Sequence, residues 1–156
     1  KGRFANNISQ FIWDMAENRK SPVIYGDGSQ SRHFTFADDV VQANILAMRK
    51  LSNISSSFVY NVGAGIQTSF NRIVEIINIQ LGTDIKPTYV KNPINNYVQH
   101  TMADISLARL ELGYNPRWKN VEEGIRQLLR QLGFSRSPSA PTSSSSASSS
   151  FPSIKI

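Results

Sequence analysis

Short β-rich runs alternate with longer segments of helical periodicity, and this alternation restricts the fold more than any other feature of the chain. Val23-Ile24-Tyr25, Phe34-Thr35-Phe36, Phe58-Val59-Tyr60-Asn61-Val62 and Pro87-Thr88-Tyr89-Val90 read as extended runs. Ile8, Phe11, Ile12 and Met15 recur at helical spacing and predict a helix from Asn6 to Asn18, stopped by Ser21-Pro22. Asp38 or Asp39 caps a second helix through Val40, Val41, Ala43, Ile45, Leu46 and Met48. Thr68 or Ser69 caps a third, through Phe70, Ile73, Val74, Ile76, Ile77 and Leu81, with Gly82 as its stop. Asp104 opens a fourth that ends at Gly113, and Val121 to Leu132 forms the last. About five helices and four short strands in alternation define an α/β class rather than a bundle or a sandwich. The strands are too few and too short for a complete doubly wound sheet. They are expected to pair with strands that this chain does not supply.

Composition sets the domain limits. Residues 135–156 hold 11 Ser and 3 Pro among 22 positions. So little apolar surface cannot offset the entropy of ordering the chain, so the segment is expected to be a disordered Ser/Pro-rich tail. Residues 1–134 are then one folding unit, large enough for a core. The net charge is +6, of which Arg136 and Lys155 lie in the tail. The remaining cations (Arg3, Lys20, Arg32, Lys50, Arg72, Lys86, Arg109 and Arg126 among them) are scattered and not interleaved with aromatics, so no nucleic-acid stripe is read. The absence of cysteine excludes disulfides and thiolate metal sites. No apolar run is long enough to span a bilayer and no signal-peptide pattern is present. With an opening Lys-Gly-Arg in place of Met, a cytoplasmic protein cut on its N-terminal side is the expectation.

The segment Tyr25-Gly26-Asp27-Gly28-Ser29-Gln30-Ser31-Arg32-His33-Phe34-Thr35-Phe36 carries the chemistry that the residues offer. A Gly-rich turn brings backbone close to a ligand, and an arginine beside it presents a planar fork of donors suited to a phosphate or diphosphate. An ordinary surface turn with an ordinary surface arginine is the plainer reading of these residues alone. Asp38 and Asp39 point about 100° apart at a helix start, so one cap and one solvated carboxylate fit better than a catalytic pair. Gly63-Ala64-Gly65 lacks the third Gly and the Lys of phosphate loops. His33 and His100 have no metal-ligand spacing, no Ser lies in a nucleophile elbow, and no Tyr is followed four residues later by Lys. Trp13 and Trp118 read as half-buried packing residues.

The run Tyr25-Gly26-Asp27-Gly28-x-Gln30-x-Arg32-x-Phe34-Thr35-Phe36-x-Asp38-Asp39-Val40 resembles a signature in the second half of NAD-dependent epimerases and dehydratases, the extended short-chain dehydrogenase/reductases. Three further pieces follow in the family's order: Tyr60-Asn61-Val62-Gly63, then Ala103-Asp104 with Ala108 and Leu112-Gly113-Tyr114-x-Pro116, then Val121-Glu122-Glu123-Gly124-Ile125. The resemblance runs from about Phe4 to Leu132 and is nearest to the UDP-glucose 4-epimerase-like group.

The resemblance implies a C-terminal substrate-binding half, with elements that pack on a Rossmann domain not contained in this sequence. Phe34 to Met48 and Phe58 to Gly63 would be those elements. The other half would hold NAD, a catalytic Ser or Thr and a Tyr-x-x-x-Lys pair, so no catalytic or cofactor-binding residue is assigned here. The partners implied are a nucleotide sugar, that N-terminal half, and a homodimer formed largely through its helices. In the family, a tyrosinate takes a sugar hydroxyl proton while hydride passes to NAD. The resulting 4-keto intermediate then rotates, in a 4-epimerase, or loses water, in a 4,6-dehydratase. A non-catalytic truncated remnant is the further alternative. Residue by residue, Arg32 matches the arginine that contacts the diphosphate, with Gln30 beside it, and Phe4 and Asn6 fall in the segment that lines the nucleobase. Asp39 matches a structural aspartate. Three departures stand out. His33 replaces an Asp, and Asn7 replaces an apolar residue. The stretch from Pro93 to His100 lacks a second diphosphate-binding arginine, which leaves Tyr97, Gln99 and His100 to substitute.

Overall fold

The computed structural model describes residues 7–50 and 59–134. Helix α1 (Asn7–Ile12) runs into a π-helical turn, Trp13–Glu17. Strands β1 (Val23–Tyr25) and β2 (Ser31–Arg32) precede helix α2 (Ala37–Lys50). Strand β3 (Thr68–Ser69) leads directly into helix α3 (Phe70–Leu81), followed by β4 (Thr88–Val90). A second π-helical turn, Ala108–Leu112, and helix α4 (Val121–Gln131) complete the order.

Two cores follow from the apolar spacing. In the larger, Phe11, Ile12, Met15, Ile73, Ile77, Ile125 and Leu129 are buried with Ile24 of β1. The rings of Phe11 and Phe70 meet in a T-shaped arrangement at a centroid distance of 5.8 Å. Each such aliphatic side chain removed from water contributes about 1.5–3 kcal/mol. α3 presents Phe70, Ile73, Val74, Ile76 and Ile77 to this core. Its N-terminus is fixed by Ser69 Oγ, which accepts from the Arg72 N–H at 3.2 Å. In the smaller core, Ala43 of α2 meets Ile105, Ala108, Leu112 and Tyr114.

The α/β class holds, and several local expectations are corrected. β1 pairs with β4 in parallel, Val23 opposite Thr88, and β2 pairs antiparallel with β3, Ser31 opposite Ser69. Each of these four strands thus has one ladder partner within the chain, in two separate two-stranded sheets. The expected Asn6–Asn18 helix is α-helical only to Ile12. Asn18 then donates from both its backbone N–H (3.2 Å) and its side chain (3.1 Å) to Trp13 O, which fixes the wider π turn. Phe34-Thr35-Phe36 is not a strand, because Phe36 O already accepts the first bonds of α2 from Asp39 and Val40. Residues 59–62 join no ladder among the described residues, and Tyr60 and Val62 pack against the smaller core. Phe58 and the tail lie outside the described residues. Among the described residues no helix is long and apolar enough to cross a membrane.

Candidate functional site

The Gly-rich turn between β1 and β2 is fixed on both sides. Asp27 Oδ1 accepts from the Ser29 N–H (2.9 Å) and Oγ (2.6 Å), closing an Asx turn. The start of α3 holds the turn from the other side: Asn71 donates through its backbone to Gly28 O (3.1 Å) and through Nδ2 to Asp27 O (3.0 Å). Gly28 has φ 79°, and a methyl group there would collide with the Asn71 amide. Only glycine meets both demands.

This turn delivers Arg32 to the edge of a three-stranded patch formed by residues 99–101, β2 and β3. Ser31 donates to Gln99 O (2.9 Å) and accepts from the Thr101 N–H (3.2 Å). Arg32 Nη1 donates to the same two carbonyls, Ser31 O at 2.8 Å and Gln99 O at 3.0 Å, using their second lone pairs. Its guanidinium carbon lies 4.9 Å from the centre of the Tyr97 ring and 5.8 Å from that of Phe70. Among the described residues no carboxylate lies within ion-pair distance of Arg32. Nη1 is saturated, while the Nε–H and the Nη2 group keep a free edge of donors. That edge can take two oxygens of one anion side by side.

The other sequence candidates take different places. Gln30 is 2% exposed and turned inward, its Nε2 donating to Tyr25 O at 2.5 Å. It braces the turn from inside, and its buried Oε1 has no hydrogen-bond partner among the described residues. Tyr97 stacks on Arg32. His100 is exposed and its Nδ1 lies 2.9 Å from Ser31 Oγ, on the same patch. Phe4 and Asn6 lie outside the described residues. Gln99 contributes its backbone carbonyl.

Two features escaped the sequence reading. Asp39 does not cap its own helix. It is 1% exposed, and its two oxygens accept from the Arg117 N–H (2.7 Å) and the Trp118 N–H (3.3 Å), tying α2 to the approach to α4. No local pattern announces a bond across 78 positions. His33 is wedged between two segments, with Nε2 2.7 Å from the Gly65 N–H and Nδ1 3.0 Å from the Ala103 N–H. Burial pushes its pKa below the ordinary histidine value. The buried hydroxyl of Tyr114 donates to Gly63 O (3.0 Å), and burial raises its pKa. Tyr60 donates to Glu111 (2.6 Å), a bond that raises its pKa. Neither is prepared to act as a tyrosinate base.

The fold and this site define an α/β protein with one unneutralised arginine clamped at the edge of a small sheet. The family model described as GDP-mannose 4,6 dehydratase matches residues 2–128. A provisionally named UDP-glucose 4-epimerase of Methanocaldococcus jannaschii is 35% identical over 128 residues, which is 82% of this chain and 39% of that protein. The chain belongs to the NAD-dependent epimerase/dehydratase family. Among solved structures it is similar to a UDP-N-acetylglucosamine 4-epimerase from Methanobrevibacter ruminantium in complex with UDP-N-acetylmuramic acid. That match has a TM-score of 0.72 at 32% identity and covers 85% of this chain and 40% of the other. It is also similar to a UDP-glucuronic acid 4-epimerase from Bacillus cereus in complex with UDP-glucuronic acid and NAD, with a TM-score of 0.71 at 28% identity, covering 81% and 40%. The chain spans about two fifths of the length of these relatives. Its described residues do not fit NAD. Of its two Gly-x-Gly turns, Gly26 to Gly28 has no third Gly and leads into β2 instead of a helix, and Gly63 to Gly65 follows no paired strand, with the His33 ring filling the space against Gly63 where a pyrophosphate would need access to backbone.

Proposed function

We propose that this chain is the nucleotide-sugar-binding half of an NAD-dependent UDP-sugar 4-epimerase, working with a Rossmann half that holds NAD and the catalytic residues. The observation that carries this reading is the free edge of Arg32. The guanidinium is anchored through one nitrogen and a ring face, has no counter-ion, and matches two oxygens of a diphosphate. Tyr97 lies against Arg32, and His100 lies against the Ser31 hydroxyl of the same patch. The relatives named above, two of them solved with UDP-sugars, support a UDP-sugar as ligand.

The role of this chain in such an enzyme is positional. Gripping the diphosphate, remote from the reacting carbon, fixes the sugar relative to the catalytic half, and that binding energy is used for orientation. The outer face of α2 supports a docked second half, since Val41, Ile45 and Met48 are exposed there.

Calorimetric titration of UDP-glucose and UDP-glucuronate tests the reading, using the chain alone and mixed with a separately expressed NAD-binding half of a relative. Binding that tightens in the mixture is expected. No binding of any UDP-sugar in either setting would refute it. The family model favours one second reading, a half of a nucleotide-sugar 4,6-dehydratase. The products of the mixture separate the two: a 4-epimer in one case, a 4-keto-6-deoxy sugar in the other.

A further inference from the structure

Arg32 has no carboxylate to orient it, yet its guanidinium is fixed in one plane. Two carbonyls saturate Nη1 in that plane. They leave rotation about the anchored nitrogen to be limited by whatever lies against the flat faces. The guanidinium carbon lies over the Tyr97 ring, 4.9 Å from its centre, and farther from that of Phe70, at 5.8 Å. Phe70 is 5% exposed and committed to the larger core, so it cannot follow the arginine. Tyr97 follows Asn96, which has φ 58°, a left-handed conformation that turns the chain so that the ring comes back over β2. The Tyr97 hydroxyl has no hydrogen-bond partner among the described residues.

We infer that Tyr97 is a positioning residue for Arg32: its ring, not its hydroxyl, holds the free guanidinium edge toward a bidentate anion of the diphosphate class. The inference rests on the proposed diphosphate grip for its ligand, though the stacking itself does not. A ring quadrupole orients a guanidinium without neutralising it, whereas a carboxylate would compete with the ligand for the same donors. The positive charge therefore stays available, and one arginine serves where a second is absent from residues 93–100.

The test has one arm without ligand and one with it. In nitrogen-15 NMR of the full chain, the Arg32 Nε–H resonance should carry a ring-current shift. Tyr97→Phe should keep that shift and Tyr97→Leu should abolish it. A shift unchanged in Tyr97→Leu would overturn the stacking. In calorimetric titration with inorganic pyrophosphate and with UDP, Tyr97→Phe should bind as wild type and Tyr97→Leu should bind roughly two- to tenfold more weakly. In an Arg32→Ala background, Tyr97→Leu should change nothing further. Equal losses in Tyr97→Phe and Tyr97→Leu would assign a direct hydroxyl contact and overturn the inference. An undiminished loss in the Arg32→Ala background would also overturn it, because the effect would not pass through Arg32. If wild type binds neither probe while the ring-current shift behaves as stated, the diphosphate reading fails and the positioning of Arg32 by Tyr97 stands.

Discussion

His33 sits between two backbone N–H groups and can accept from only one of them. A neutral imidazole carries one lone pair on one ring nitrogen, and the protonated ring carries none. Protonation of His33 therefore costs the folded state its remaining acceptor, in line with the pKa lowered by burial. Because the folded state binds this proton more weakly than the unfolded chain, the His33 contribution is complete above the unfolded value near 6.5 and is lost as pH falls below it. Urea midpoints measured from pH 8 to pH 5 should drop on the acid side, and His33→Asn should flatten that slope. An equal slope in the variant would remove His33 from the explanation. The same ring explains Gly63. A methyl group at that position would collide with the imidazole, so Gly63→Ala should cost about 1–3 kcal/mol by urea denaturation and much less in a His33→Ala background.

At the scale of elements, the fold depends on short ties between segments far apart in sequence. Asp39 joins α2 to residues 117 and 118 through two buried bonds. Asp39→Ala leaves two backbone donors without a partner and should cost about 2–3 kcal/mol in thermal or urea unfolding. Asp39→Asn, which keeps one acceptor, should cost less. Most helices were legible because their signals are local: the 3.6-residue spacing of Phe70 to Leu81, the Ser69 cap, and the glycine at position 82. Strands at 23–25 and 88–90 were legible for the same reason. The pairing of strands was not, since two- and three-residue ladders gain their stability from what packs on them, not from their own composition. The first π turn was hidden because a single carbonyl, Trp13 O, shared by both donors of Asn18, shifts the register without changing the apolar pattern. In the candidate site, Arg32 was legible from its motif. Its ring partner, 65 positions away, left only an indirect trace in the missing arginine of residues 93–100, and the inward turn of Gln30 left none.

At the scale of the whole molecule, the layout separates two tasks. The larger core holds α1, α3, α4 and β1 as the support on which the Gly-rich turn and β2 rest. The smaller core holds α2 and the 105–114 segment, whose outer side leaves Val41, Ile45 and Met48 uncovered. Arg32 stands on the three-stranded patch carried by the first, and the surface proposed to meet an NAD-binding half lies on the second. A diphosphate gripped at Arg32 would thus be held by the stable part of the chain. Binding should weaken with salt, as expected for an exposed charge pair. The most direct measurement is the affinity of UDP-glucose for wild type and for Arg32→Ala, each folded by circular dichroism and each mixed with the same NAD-binding half. Loss of a bidentate charged contact worth about 1.5–3 kcal/mol predicts a dissociation constant raised roughly ten- to a hundredfold. An unchanged dissociation constant in Arg32→Ala would contradict the account.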